Sequence, residues 1–143
     1  MSNILMKTTR VIATAAMIAG SILASHVAQA QQTGIKRTDL QRHDLSAPGR
    51  EVVQVRVDFN PGYVAPRHTH PGEEIIYVLE GTLEYQIDDK PVTVKPGDVL
   101  FVPAGTIHSV KNIGTSNGAE LAASVVEKGK LLSTRTAIVS TTR

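Results

Sequence analysis

Residues 62–81, GYVAPRHTHPGEEIIYVLEG, decide how this chain is read. The second half, Glu74 to Glu80, is apolar on both parities, as in a strand covered on both faces, and Gly81 stops it. The first half places His68 and His70 at i and i+2. On extended backbone such a pair shares one face, about 7 Å apart by strand rise, and two imidazoles so placed can converge on one ion.

Working outward, strand signals continue on both sides. Upstream, Val53, Val55, Val57 and Phe59 alternate with Gln54, Arg56 and Asp58, and Asn60, Pro61 and Gly62 break the run. Downstream, Leu83, Tyr85 and Ile87 alternate with Glu84, Gln86 and Asp88, with a short turn at Asp89 and Lys90. Further strands are expected over residues 92–95, 99–102, 107–110 and 120–127, separated by turns such as Pro96-Gly97-Asp98 and Pro103-Ala104-Gly105. No helical apolar period of ten or more residues occurs beyond the first thirty, and there are no repeats. Short strands with turn signals every 8–12 residues predict an all-β sandwich or barrel.

His108 follows the turn that ends at Gly105. With His68, His70 and Glu74 it completes a set of three imidazoles and one carboxylate, which leaves positions open on an octahedral ion for water or substrate. A His-x-His pair alone is weak evidence for metal, and His43, isolated in a polar stretch, reads as a solvated side chain.

The spacing carries more weight. Gly62, His68, His70, Glu74 and Gly81 form one pattern, and Gly97, Pro103, Gly105, His108 and Asn112 form a second. In every fixed position of both, the chain resembles the cupin superfamily, in particular its small single-domain bacterial members. The resemblance covers about residues 50–128. It implies a double-stranded β-helix, a small jelly-roll barrel, with one divalent transition metal ion (Fe, Mn, Ni or Zn) held by His68, His70, Glu74 and His108. The expected organisation is an N-terminal arm over residues 31–50, the barrel over 51–128 and a tail over 129–143. Gly81, Gly97 and Gly105 are expected at corners that need positive φ.

Parity extends the picture around the site. Counting back from His68 places Val64 and Pro66 on the inner face and Arg67 and Thr69 on the outer one. Counting from Glu74 places Ile76 and Val78 inside, with Glu73, Ile75, Tyr77 and Leu79 outside. An apolar outer face calls for a cover, and a homodimer is expected. Either Val99 with Phe101 or Leu100 with Val102 walls the pocket. Gln54, Arg56, Tyr63, Arg67 and Gln86 are polar candidates for substrate contact.

The first thirty residues have another character. Lys7 and Arg10 precede an uncharged run from Val11 to Ala24, and the stretch ends in Ala28-Gln29-Ala30. This is the pattern of a Sec-type signal peptide cleaved after Ala30, too short for the ~20 apolar residues of a spanning helix. The mature protein is then expected in the periplasm or the medium, without stable membrane insertion. Removing residues 1–30 takes Lys7 and Arg10 from the 15 basic residues and nothing from the 13 acidic ones, so the mature chain has no net formal charge. A basic surface for nucleic acid is thereby excluded, as is a base-stacking platform, since Phe59, Phe101, Tyr63, Tyr77 and Tyr85 are the only aromatics. The absence of cysteine removes disulfides, thiolate metal sites and thiol nucleophiles.

The function expected is that of an exported metalloenzyme acting on a small molecule. Its chemistry is either dioxygenase-like, with Fe²⁺ or Ni²⁺, or Lewis-acid isomerase or lyase chemistry with Mn²⁺, Zn²⁺ or Ni²⁺. A non-catalytic binding module is the alternative.

Overall fold

The computed structural model describes residues 33–136. The expected leader, residues 1–30, and residues 137–143 of the expected tail lie outside the described residues. Among those described there are ten strands and no helix. They are β1 (Ile35–Asp44), β2 (Arg50–Phe59), β3 (His68–Thr69), β4 (Glu73–Glu80), β5 (Leu83–Ile87), β6 (Lys90–Val94), β7 (Val99–Val102), β8 (His108–Asn112), β9 (Gly118–Glu127) and β10 (Thr134–Arg135).

They form two five-stranded sheets, ordered β1-β2-β9-β4-β7 and β10-β3-β8-β5-β6, with every pairing antiparallel. This is the all-β double-stranded β-helix expected from the sequence. Period-two patterning fixes what faces inward. On β2, Val53, Val55, Val57 and Phe59 are buried while Gln54, Arg56 and Asp58 between them are not. On β4, Ile76 and Val78 are fully buried, and Ile75 and Tyr77 are exposed, as parity from Glu74 requires. These side chains meet Val102 from the edge of their own sheet, and Leu83, Tyr85, Val94 and Val110 from the facing sheet, in one continuous core.

Two loops anchor the corners. At Gly81 φ is 75°, and a Cβ would stand 2.7 Å from the Asn117 carbonyl oxygen, so the chain crosses here too closely for any side chain. Asn112, fully buried, ties three segments together. Its Nδ2 donates to the carbonyls of Phe59 (2.9 Å) and Ser116 (2.8 Å), and its Oδ1 accepts from the Gly114 amide (2.9 Å).

The parity expected ahead of His68 needs correction. Ala65 is buried, whereas Val64 is 55% exposed and Pro66 is also exposed. Asn60 to Arg67 is not a regular strand: it is held by the Ala65 amide on the Val110 carbonyl (2.8 Å) and the Asn112 amide on the Tyr63 carbonyl (3.0 Å). Alternation therefore does not carry back through it. Of the two pairs proposed on β7, Leu100 and Val102 face inward, and Val99 and Phe101 lie on the outer surface. Neither pair lines the histidine cavity; Val102 packs in the core instead.

Residues 35–44, inside the stretch read as an arm, form the ten-residue strand β1 against β2. Its apolar content is low because it lies at a sheet edge, with a bulge between Asp39 and Gln41 that turns Leu40 outward. At the other end of the chain, β10 pairs with β3, the strand that carries His68.

Candidate metal centre

His68, His70 and His108 come together at one end of the barrel, with ligand atoms all within 4.8 Å of one another. The pairing explains why. His68 sits directly opposite His108 across β3 and β8, with ring centroids 4.2 Å apart. His70 follows two residues on, and its backbone carbonyl accepts the Gly105 amide (2.9 Å), which fastens the turn before His108. Glu74 enters from the other sheet, on β4, opposite Ser124 of β9 and Val102 of β7. Its Oε2 lies 3.3 Å from Nε2 of both His70 and His108.

Each imidazole is oriented by a backbone carbonyl at its Nδ1. His68 meets the Pro66 oxygen at 2.8 Å, His108 meets that of Thr106 at 3.0 Å, and His70 meets that of Leu132. Carbonyls only accept, so each Nδ1 carries a proton and each neutral ring keeps its lone pair on Nε2. All of these lone pairs belong to the cluster, and that of His70 is buried without a hydrogen-bond partner. Lone pairs converging on a carboxylate oxygen repel unless a positive charge lies between them. The donor set therefore fits a cation, and the carbonyls are the outer partners that hold metal-binding histidines in one tautomer.

Without a metal, the same cluster attracts positive charge as protons. Burial pushes the His68 imidazole down to about 4, so it is neutral at pH 7. At His70 burial also disfavours the cation, but the adjoining Glu74 and the Leu132 carbonyl outweigh it and raise the pKa. At Glu74 burial favours the neutral acid, yet His108 and His70 overcome it and hold the carboxyl at about 2. Glu74 is an anion, and it favours positive charge on the adjoining His70.

The cluster opens on a cavity of about 120 Å³. Val55, Val57, Phe59, Ala65 and Val110 make its apolar wall; Arg37, Tyr85, Glu120 and Ser133 add polar groups. None of Gln54, Arg56, Tyr63, Arg67 and Gln86 lines it. Arg67 pairs with Asp89, Gln54 bonds Gln41, Gln86 bonds Glu84, Arg56 bonds Asp58 and Glu80, and Tyr63 stacks on Phe59. Arg56 instead borders a broader surface hollow with Lys36, Asp58 and Asn117.

Sequence reasoning missed Glu120, Arg37 and the Leu132 carbonyl. The signal for Glu120 was present: an acid at an inward position of a strand that continues Ala122, Ser124, Val126. Nothing local marks Arg37 or Leu132, which reach the site through long-range pairing.

The comparisons follow this geometry. The cupin domain model matches residues 55–131. A germin-like protein of Arabidopsis thaliana (subfamily 2 member 2) is 39% identical over 85 residues, covering 53% of this chain and 39% of that protein. The chain thus spans well under half the length of the plant relatives it matches. Among solved structures, a recombinant oxalate oxidase in complex with glycolate superposes with a TM-score of 0.58 at 25% identity, over 74% of this chain and 57% of that one. A double-stranded β-helix protein from Klebsiella pneumoniae gives 0.61 at 19% identity, over 75% and 88%, a likeness of fold. The family model covers more than half of the chain, and the two-sheet barrel accords with it: the chain belongs to the cupin domain family.

Proposed function

We propose that the protein is an exported metalloenzyme in which His68, His70, Glu74 and His108 hold one divalent transition metal ion and a small molecule is transformed beside it. The observation that carries this reading is the convergence of Nε2 lone pairs on the Glu74 carboxylate in a buried site. A divalent ion held there supplies Lewis acidity and, if redox-active, an electron path to oxygen. The chain's own residues do the rest. The backbone carbonyls of Pro66, Thr106 and Leu132 hold the rings, and the apolar wall from Val55 to Val110 limits water. Arg37, which also pairs with Asp39 (3.3 Å), is the one Lys or Arg at the cavity border, and beside a bound cation it supports an anionic substrate.

Oxidase or dioxygenase chemistry is the preferred reaction class. Its support is the likeness to an oxalate oxidase, and it comes to this chain as a proposal. Elemental analysis of the full chain, purified without tag or chelator, tests the reading. About one Fe, Ni or Mn per chain, lost in His70→Ala while the β-rich spectrum persists, is expected. Oxygen uptake with small carboxylates and enediols then assays the reaction. Turnover under argon with Zn²⁺ or Mn²⁺ favours isomerase or lyase chemistry, and ligand binding without turnover favours a binding module. No metal above background, with none taken up on addition, overturns the enzyme reading.

Two accessory proposals belong with it. The basic start and the Ala28-Gln29-Ala30 ending support export to the periplasm or medium. The exposed, cross-paired Ile75–Phe101 and Tyr77–Val99 on the outer face of β4 and β7 support a homodimer through that face.

A further inference from the structure

Tyr85 and Glu120 reach the cavity from β5 and β9, one in each sheet, and both are almost completely buried. The Tyr85 hydroxyl donates to Glu120 Oε2. Oε1 has no hydrogen-bond partner among the described residues, although Glu120 lines the cavity wall. A second buried acid beside Glu74 is costly, whereas the other inward positions on its strand, Ala122, Ser124 and Val126, carry no charge. A carboxyl anchored at one oxygen by a buried phenol, with the other left to the cavity, is a held hydrogen-bonding group. In the metal-free protein, burial, reinforced by the Glu74 charge, pushes its pKa up to about 8.

The rest of the lining states what such a group would meet. Arg37, whose Nε also meets Asp39 Oδ1 at 3.3 Å, is the one Lys or Arg among the lining residues, and together with a cation held by the histidine cluster it would attract a carboxylate. The volume, about 120 Å³, equals roughly four waters at ~30 Å³ each, which limits the ligand to a few non-hydrogen atoms. A hydroxyl both gives and takes a hydrogen bond, so it suits Glu120 in either charge state.

We propose that Glu120, positioned by Tyr85, is the specificity-determining contact of this cavity, and that its ligand is a small hydroxylated carboxylate whose hydroxyl meets Glu120 Oε1. The proposal rests on the metal reading above and adds a residue and a ligand class to it.

Glycolate and acetate differ by the hydroxyl in question and serve as probes. Their dissociation constants are measured by calorimetry on the full chain loaded with Mn²⁺, with metal content measured in parallel. The wild type is expected to favour glycolate, and Glu120→Leu, which removes both carboxyl oxygens, to lose that preference about tenfold, equivalent to about 1.4 kcal/mol. Metal content and acetate affinity stay unchanged, which a purely structural role of Glu120 would not produce. Tyr85→Phe shifts the preference the same way by a smaller factor, and it carries the test if the Glu120 variant does not fold. An unchanged preference in a folded, metal-loaded variant overturns the proposal, as does a wild type that binds acetate as tightly as glycolate. A wild type that takes up no metal instead fails the metal reading and removes this proposal with it.

Discussion

Glu74 Oε2 stands 3.3 Å from His108 Nε2, although the two residues belong to different sheets of the barrel. The contact joins β4 to β8 across the interior, where no strand pairing links the two sheets among the described residues. An ion held between them would couple the two sheets directly. Binding and folding of the domain are then expected to be linked.

Metal removal and replacement reads that coupling. Stripping the protein with a chelator and restoring Mn²⁺, Ni²⁺ or Zn²⁺ at a hundredfold over its dissociation constant is expected to stabilise the fold by about 2.7 kcal/mol. For a domain of this size the melting temperature should rise on the order of 10 °C. The same addition to His108→Ala leaves the melting temperature where it was. Equal shifts in both proteins would contradict the site.

Asn112 is a stability residue without a chemical role. Its substitution by Ala leaves the Phe59 and Ser116 carbonyls and the Gly114 amide without their buried partner. A loss of about 2–4 kcal/mol is expected, read by urea denaturation at constant m-value. A loss below about 1 kcal/mol would show that water replaces the side chain.

Glu120 gives the metal-free protein a pH signature. Its carboxyl is raised from the ordinary 4.5 to about 8, mainly by burial. Between those values the folded state holds a proton that the unfolded chain has released, so this group's contribution to stability falls as pH rises through the window. Below the unfolded value there is no penalty; above the folded value it is complete. The stability of Glu120→Gln relative to wild type should therefore increase from pH 5 to pH 8. A flat difference across that range would mean that Glu120 ionises normally.

The outer face of β4 and β7 makes a prediction about assembly. Light scattering should give twice the chain mass for the wild type. Phe101→Asp, which places a charge where Phe101 is 56% exposed, should return one chain mass with the melting curve little changed. A wild type of one chain mass would leave this face without a second copy.

The strands and the His68–His70 pair were legible in the sequence because both rest on local rules, while His108 and the double-stranded β-helix were reached through the resemblance of the two motifs. Alternation of Val53 to Phe59 names a buried face whatever pairs with it, and His68-Thr69-His70 shares a face by backbone geometry alone. Positive φ at Gly81, Gly97 and Gly105 is likewise a local demand of the corners. Where regular geometry lapses, the reading failed: Val64 faces solvent because residues 60–67 follow loop hydrogen bonds instead of strand parity. Arg37 was hidden for a different reason. It reaches the cavity because β1 pairs with β2, and no local periodicity records that pairing. The role of Glu120 lay beyond the sequence too, since it depends on Tyr85 arriving from 35 residues away.

The Leu132 carbonyl that orients His70 lies 62 residues downstream of it in the chain. A ribosome therefore releases His68 and His70 long before the segment that aims them exists. During that interval the two imidazoles are loose donors, ranking metals by intrinsic affinity alone. Discrimination by shape begins only when β9 has zipped between β2 and β4 and the last turns have folded back over the barrel mouth. If the site takes up an ion as proposed, the choice of metal is thus a property of the finished molecule, set wherever its folding is completed.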